Sequence, residues 1–261
     1  MKRPLVALIL IPLLILYIMK LPVGWYVALL LISGLIAQSE FYSMYGVRGG
    51  LRHGGLLLGA ALIGAYYAQA GFVAEVLVLS FLLLASFRLF IKRDTSGALR
   101  DISPAVMGLI YIPGLLGLQV NIRRLGPEWI VFLWGAIWLS DSMAYYIGTY
   151  TGKKKLYEEV SPKKTWAGAV GSVLGGVAGS VILRGALGIE MPLLTVSALG
   201  ASLGAVSVLG DLVESMFKRD AGVKDSGRLL PGGHGGLLDK IDSALFAGPV
   251  LYWMLIGLGV I

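Results

Sequence analysis

Apolar runs of about 20 residues recur from one end of the chain to the other, and this feature decides the fold class before any other. A helix of that length crosses the hydrocarbon core of a bilayer. Nine candidate spans can be read, near 4–19, 21–39, 54–71, 73–91, 103–121, 128–150, 165–187, 192–216 and 236–260. The mean hydropathy is +0.81, and only 14% of the 261 residues are charged. A water-soluble domain of this size could not hide so much apolar surface, whereas in lipid it need not be hidden. The expected fold is therefore all-α, a polytopic transmembrane bundle of about nine spans. The tight Lys20-Leu21-Pro22 break makes the first two spans a hairpin or one interrupted element. Met1 to Lys20 has the charge pattern of a signal peptide, but its long apolar run and lack of a small-residue cleavage site favour a retained span.

Charge placement gives an orientation. With nine spans, Lys20, Arg123, Arg124 and Arg184 lie on one side and the other 18 of the 22 Lys and Arg residues lie opposite. The richer side is cytoplasmic by the positive-inside rule. The net charge of +7 then reflects topology and anionic lipid, and no nucleic-acid partner is expected. The absence of Cys excludes thiol catalysis and Cys-ligated zinc, and two His residues are too few for a His-based metal cluster.

Polar character changes near residue 125. Residues 1–125 read as a transmembrane scaffold half and 126–261 as a catalytic half of one integrated membrane domain. In the seventh span, Gly171, Gly175 and Gly179 recur four apart, as do Gly168, Ser172, Gly176 and Ser180. Such small-residue ridges let helices approach closely in lipid. They allow a homodimer and equally allow packing within one subunit.

Three polar constellations stand out in the second half. The densest contains Asp211, Glu214, Lys218, Arg219, Asp220, Lys224, Asp225, Arg228, His234, Asp239, Lys240 and Asp242. A solvated loop would also be charged, but Asp211 and Glu214 continue an apolar helix while Asp239 and Asp242 open another. Ionisable groups in such positions are costly and face a polar interior. Asp211, Glu214, Ser215 and Lys218 share one helical face, as do Asp239 and Asp242. Two carboxylate-bearing helix ends form a hard oxygen site, suited to Mg²⁺ rather than zinc, with a second cation left open. The intervening Pro231-Gly232-Gly233-His234-Gly235-Gly236 turn, beside so many cations, has the makings of a phosphate cradle. The second constellation is Ser161-Pro162-Lys163-Lys164-Thr165-Trp166, a bend with two compact positive charges leading into a span. Its plain alternative is an ordinary basic flank with an interfacial Trp. The third is Asp141 inside the sixth span, with Trp138 and Tyr145 on its face and Gly148, Gly152 and Lys153 following. An intramembrane Asp needs a partner or a cation. There is no GxxxxGK[ST] loop, no paired-His motif and no GxSxG elbow.

Together these stretches resemble the phosphatidate cytidylyltransferase (CDP-diacylglycerol synthase) family. The resemblance rests on Ser215-Met216-Phe217-Lys218-Arg219, Lys224-Asp225-Ser226-Gly227, Leu230-Pro231 with His234-Gly235-Gly236, and Asp239-Lys240-Ile241-Asp242-Ser243. The Ser161–Trp166 and Asp141–Gly152 stretches also match in type and order. The family usually has Arg at Lys240, Glu at Ala167, and one residue rather than two between Pro231 and His234.

The resemblance implies transfer of a cytidylyl group from CTP to phosphatidic acid, giving CDP-diacylglycerol and pyrophosphate at the cytoplasmic face of a prokaryotic inner membrane. The lipid phosphate is already ionised, so alignment and charge neutralisation matter more than a general base. Asp211 and Asp239 are the first expected metal ligands, with Asp242 and Asp225 next. Lys218, Arg219, Lys224 and His234 join them as catalytic candidates. Asp141, Lys153, Ser161, Lys163, Lys164, Thr165, Ser215, Arg228, Gly235 and Gly236 are expected to bind CTP or the lipid. The rivals are a CTP-dependent transferase or kinase acting on a polyprenyl or archaeal lipid, and a membrane transporter.

Overall fold

A computed structural model describes residues 12–69, 71–227 and 235–260. After a short helical stretch over 12–20 come α1 (Val23–Met44), α2 (Gly49–Tyr67) and α3 (Val73–Lys92). The next span is built from α4 (Ala98–Leu109), a π-helical turn (Ile110–Gly114) and α5 (Leu115–Leu125). Then follow α6 (Pro127–Thr151), a hairpin of β1 (Lys155–Tyr157) and β2 (Ser161–Thr165), α7 (Trp166–Leu187), α8 (Leu193–Asp220) and α9 (Leu238–Gly257). Among the described residues, six helical segments are long and apolar enough to cross a membrane. Helix α2 carries Arg52 and His53 in its first turns, and α9 opens on Asp239, Lys240 and Asp242, which lowers their apolarity. The all-α membrane architecture expected from the apolar runs is the one observed, with the small hairpin as its only sheet among the described residues.

The outer surface explains the composition. Helix α3 exposes Val78, Leu79, Phe81, Leu82, Leu83, Leu89, Phe90 and Ile91. Such a continuous apolar face is tolerable only against lipid. The one charge buried there is Arg88, which turns inward to Asp94 at 2.9 Å and Asp101 at 2.6 Å, fastening α3 to α4. In the middle of the α4–α5 span, Pro113 lacks the N–H needed for the α-helical ladder and crowds the preceding turn, where the ladder widens into the π-turn.

The ridges of α7 do the packing the spacing promised. A Cβ on Gly175 would stand 2.6 Å from the Leu139 carbonyl oxygen, and one on Gly171 would stand 2.9 Å from that of Met143, so this ridge lies directly on α6. Ser172, Gly176 and Ser180 face α8 instead, where Ser172 Oγ donates to the Gly204 carbonyl at 2.8 Å. Gly168 departs from its ridge, since its Cβ would meet the Ala144 carbonyl of α6 at 3.0 Å. Both ridges are thus spent on packing within one subunit.

Two local readings need correcting. Ser161-Pro162 is not a bend into a span: Ser161 to Thr165 is extended and pairs antiparallel with β1. Proline's fixed φ suits an edge strand, where its missing N–H costs nothing. The eighth span, expected to end near 216, runs on to Asp220, which keeps Lys218 on the helical face it was expected to share with Asp211 and Glu214 and adds Arg219 to the helix.

Candidate active site

Helix α8 organises the site because its neighbours come unusually close. A Cβ on Gly210 would lie 2.8 Å from the Asp242 carbonyl oxygen and 3.2 Å from Ser243 Cα. This contact brings Asp211, the next residue, alongside the first turn of α9. On its other side α8 packs on α7, which holds α6 with Asp141. The carboxylates of Asp141, Asp211 and Asp242 fall within electrostatic reach of one another. Residues far apart in sequence have thus converged at one end of α6, α8 and α9.

A cavity of about 640 Å³ opens beside them. Asp141, Tyr145, Gly148, Gly152, Lys155, Lys163, Lys164, Thr165 and Asp211 are among its walls. Lys164 Nζ pairs with Asp211 Oδ2 at 2.7 Å and reaches the Val208 carbonyl at 3.4 Å. Ser215 Oγ donates to Asp211 Oδ1 at 3.3 Å. Thr165 Oγ1 accepts the Gly168 N–H at 3.1 Å and caps α7. The hairpin therefore does what a plain loop could not: it fixes Lys164 against Asp211 of α8, with Lys163 beside it on the cavity wall. The cavity combines cationic walls with an acidic floor, a composition suited to a polyphosphate accompanied by a cation.

A second polar cluster adjoins the first turn of α9. Lys218 Nζ is 2.7 Å from Asp239 Oδ1 and also pairs with Glu214. Asp239 is occupied at both oxygens. Oδ2 accepts from the Gly236 N–H at 2.6 Å and the Ser226 hydroxyl at 3.0 Å, while the Ser226 N–H lies 3.2 and 3.3 Å from the two oxygens. Gly235, with φ +77°, supplies the left-handed backbone that a side chain would disfavour just before this contact. Asp242 Oδ1 accepts the Ser243 N–H at 2.7 Å.

The sequence candidates therefore divide. Asp141, Lys163, Lys164, Thr165 and Asp211 meet at the cavity. Lys218, Gly235, Gly236 and Asp239 belong to the neighbouring cluster, while Ser215 joins the first group through Asp211. Lys153, Lys224, Asp225 and Arg219 are exposed, Arg219 donating to the Val223 carbonyl at 3.0 Å. Ser161 opens β2. Arg228 and His234 lie outside the described residues. Among those described, no three His, Cys, Asp or Glu residues gather tightly enough to hold a metal by themselves. The oxygen-only pair Asp211 and Asp242 nevertheless fits Mg²⁺, which takes one or two carboxylates and completes its shell with water and phosphate.

Three contributors escaped the sequence reading. Lys155, not Lys153, lines the cavity: Lys155 opens β1 opposite Thr165, while Lys153 precedes the strand. Tyr45, at the end of α1, donates to Asp220 Oδ2 at 2.9 Å and steadies the end of α8. Burial, then that hydrogen bond and the charge of Asp220, push the Tyr45 hydroxyl pKa well up. Glu40 of α1 is 9% exposed and accepts the Leu238 N–H at 2.8 Å. A carboxylate inside an apolar helix was a usable signal, and the contrast between the two halves obscured it.

Comparison with known proteins shows the family. A profile described as the cytidylyltransferase family matches residues 1–257. A Bacillus subtilis protein named phosphatidate cytidylyltransferase is 35% identical over 184 residues, covering 69% of this chain and 67% of the relative. A Synechocystis protein of the same name is 37% identical over 189 residues, covering 60% of this chain and 62% of the relative. A Brucella abortus protein, also so named, is 40% identical over 153 residues, covering 56% and 54%. The matched stretches thus span roughly half to two thirds of these relatives. With a profile match over residues 1–257, the chain belongs to the cytidylyltransferase family.

Proposed function

We propose that this integral membrane protein transfers the cytidylyl group of CTP to phosphatidic acid, forming CDP-diacylglycerol and pyrophosphate. The observation that carries this reading is the Lys164–Asp211 pair at 2.7 Å on the wall of a cavity lined by Asp141, Lys155 and Lys163. The names of the relatives supply the substrates. The Lys and Arg asymmetry supports a cytoplasmic placement for the cavity, the side on which CTP is found. In the inner membrane of a prokaryotic cell, the lipid and the nucleotide would meet there.

In this mechanism the lipid phosphate oxygen attacks the α-phosphorus of CTP, the bond to the β-phosphate oxygen breaks, and pyrophosphate departs. Lys163 and Lys164 hold phosphate oxygens and orient the α-phosphorus. Lys155 adds charge at the opening, and Lys218 supports the acidic cluster behind it. Asp211 and Asp242 would hold Mg²⁺, which when bound supplies charge neutralisation on the phosphates. Asp239, with four donors around its oxygens, organises the α9 end. No side chain need remove a proton from the nucleophile, since the lipid phosphate is ionised at neutral pH.

The test is incorporation of labelled CTP into chloroform-extractable lipid by purified protein with Mg²⁺, phosphatidic acid and, in parallel, polyprenyl phosphate or an archaeal ether-lipid acceptor. Pyrophosphate release dependent on phosphatidic acid is the expected result. Preference for another acceptor would overturn the substrate assignment, and absence of pyrophosphate with every acceptor would overturn the transferase reading.

A further inference from the structure

The loop between α8 and α9 runs into a helix whose first amides need acceptors. Leu237, at the N-cap position, has no side chain able to provide one. Asp239 serves the Gly236 N–H from within the helix. The next two amides are served from the far end of the chain. Glu40 Oε1 accepts the Leu237 N–H at 2.9 Å and Oε2 accepts the Leu238 N–H at 2.8 Å. The Ser226 hydroxyl lies 3.3 Å from Glu40 Oε2 and 3.0 Å from Asp239 Oδ2, so it bridges the two carboxylates. Glycines enclose the arrangement: a Cβ on Gly227 would come 2.7 Å from Glu40 Oε1, and one on Gly236 would come 2.6 Å from its carboxyl carbon. One buried side chain therefore holds Ser226 together with the Leu237 and Leu238 amides at the start of α9.

We propose that Glu40 is a positioning residue for the transferase site. It fixes the start of α9, and through Ser226 and Asp239 it fixes Lys218 and the turn that carries Asp242. An anion suits this place because helix N-termini carry partial positive charge. Its partners are the backbone amides and Ser226, and it acts on the reaction only through the groups it holds. The role rests on the transferase reading for its effect on rate, while the clasp itself rests on geometry alone.

The experiment compares wild type, Glu40→Gln and Glu40→Asp in nanodiscs. Gln keeps the shape but offers one acceptor oxygen, turning an NH2 group toward a backbone N–H. Expected for Glu40→Gln is a kcat lower by about 10- to 100-fold, the range for losing hydrogen bonds to a charged group. KM for CTP should change by less than about threefold, because misorientation falls on the chemical step. Hydrogen–deuterium exchange should accelerate about 10-fold in peptides covering 226–240 while α6 and α7 keep wild-type protection. Glu40→Asp keeps the charge with a shorter reach and should fall between the two. Wild-type kcat and exchange in Glu40→Gln would overturn the proposal. So would exchange that rises equally in all helices, with kcat falling only as the folded fraction does. If Glu40→Gln does not fold, Glu40→Asp decides by the same two readouts. Should wild type make no lipid product from phosphatidic acid, the transferase reading fails, and the exchange comparison still decides the clasp.

Discussion

Replacing Lys218 with Met tests the second polar cluster at its centre. Glu214 is 0% exposed, and its ion-pair partner is Lys218, itself 11% exposed and shared with Asp239. Met preserves much of the volume and removes the charge. That leaves a carboxylate sealed in the bundle with no ion-pair partner among the described residues. Breaking a buried pair from one side costs about 3–5 kcal/mol, far more than the pair contributes over an apolar replacement. Removing both charges should therefore hurt less than removing one. Equilibrium unfolding of Lys218→Met, Glu214→Gln and the double variant in mixed micelles, all at one pH, gives the coupling directly. The expected result is a loss of about 3–5 kcal/mol for Lys218→Met, with the double variant recovering at least about 1 kcal/mol relative to the sum of the singles. Effects that add within about 0.5 kcal/mol, or a Lys218→Met variant as stable as wild type, would refute the picture of a coupled buried cluster.

Asp211→Asn should lower CTP incorporation by about 100-fold or more while the protein remains folded, measured by lipid product per monodisperse protein; near-wild-type turnover sinks the metal role of Asp211. Lys164→Met should raise KM for CTP by about 10-fold yet barely move thermal unfolding, because Asp211 is 40% exposed and such pairs contribute little stability. Gly210→Val should destabilise the protein by about 1–3 kcal/mol by forcing α8 away from α9, read by thermal unfolding and loss of activity together. Chelation with EDTA should abolish transfer and added Mg²⁺ restore it; activity that persists without any divalent ion refutes the proposed cation requirement.

Much of this protein is legible in its sequence for a simple reason. Lipid demands long apolar helices, so the spans announce themselves one by one. Four-residue spacing of Gly and Ser told which faces of α7 must touch neighbours, and Gly175 packs on α6 while Gly176 comes closest to Gly200 of α8. Charges inside apolar runs marked Asp141, Asp211, Asp239 and Asp242, because such groups persist in a membrane only with partners. What the chain could not announce are relations between segments. Pairing of β1 with β2 sets Lys155 opposite Thr165 and on the cavity wall, while Lys153 precedes the strand. The crossing of α8 and α9 at Gly210 set Asp211 beside Asp242, a distance that depends on both backbones at once. Asp239 reads in sequence as one more acidic ligand, yet its oxygens accept from Lys218, Ser226 and Gly236. Glu40 stands 186 positions from Ser226 in the chain and 3.3 Å from it in space. Composition and periodicity fix what must be buried in lipid and what must find a partner, but only tertiary packing decides which partner it is.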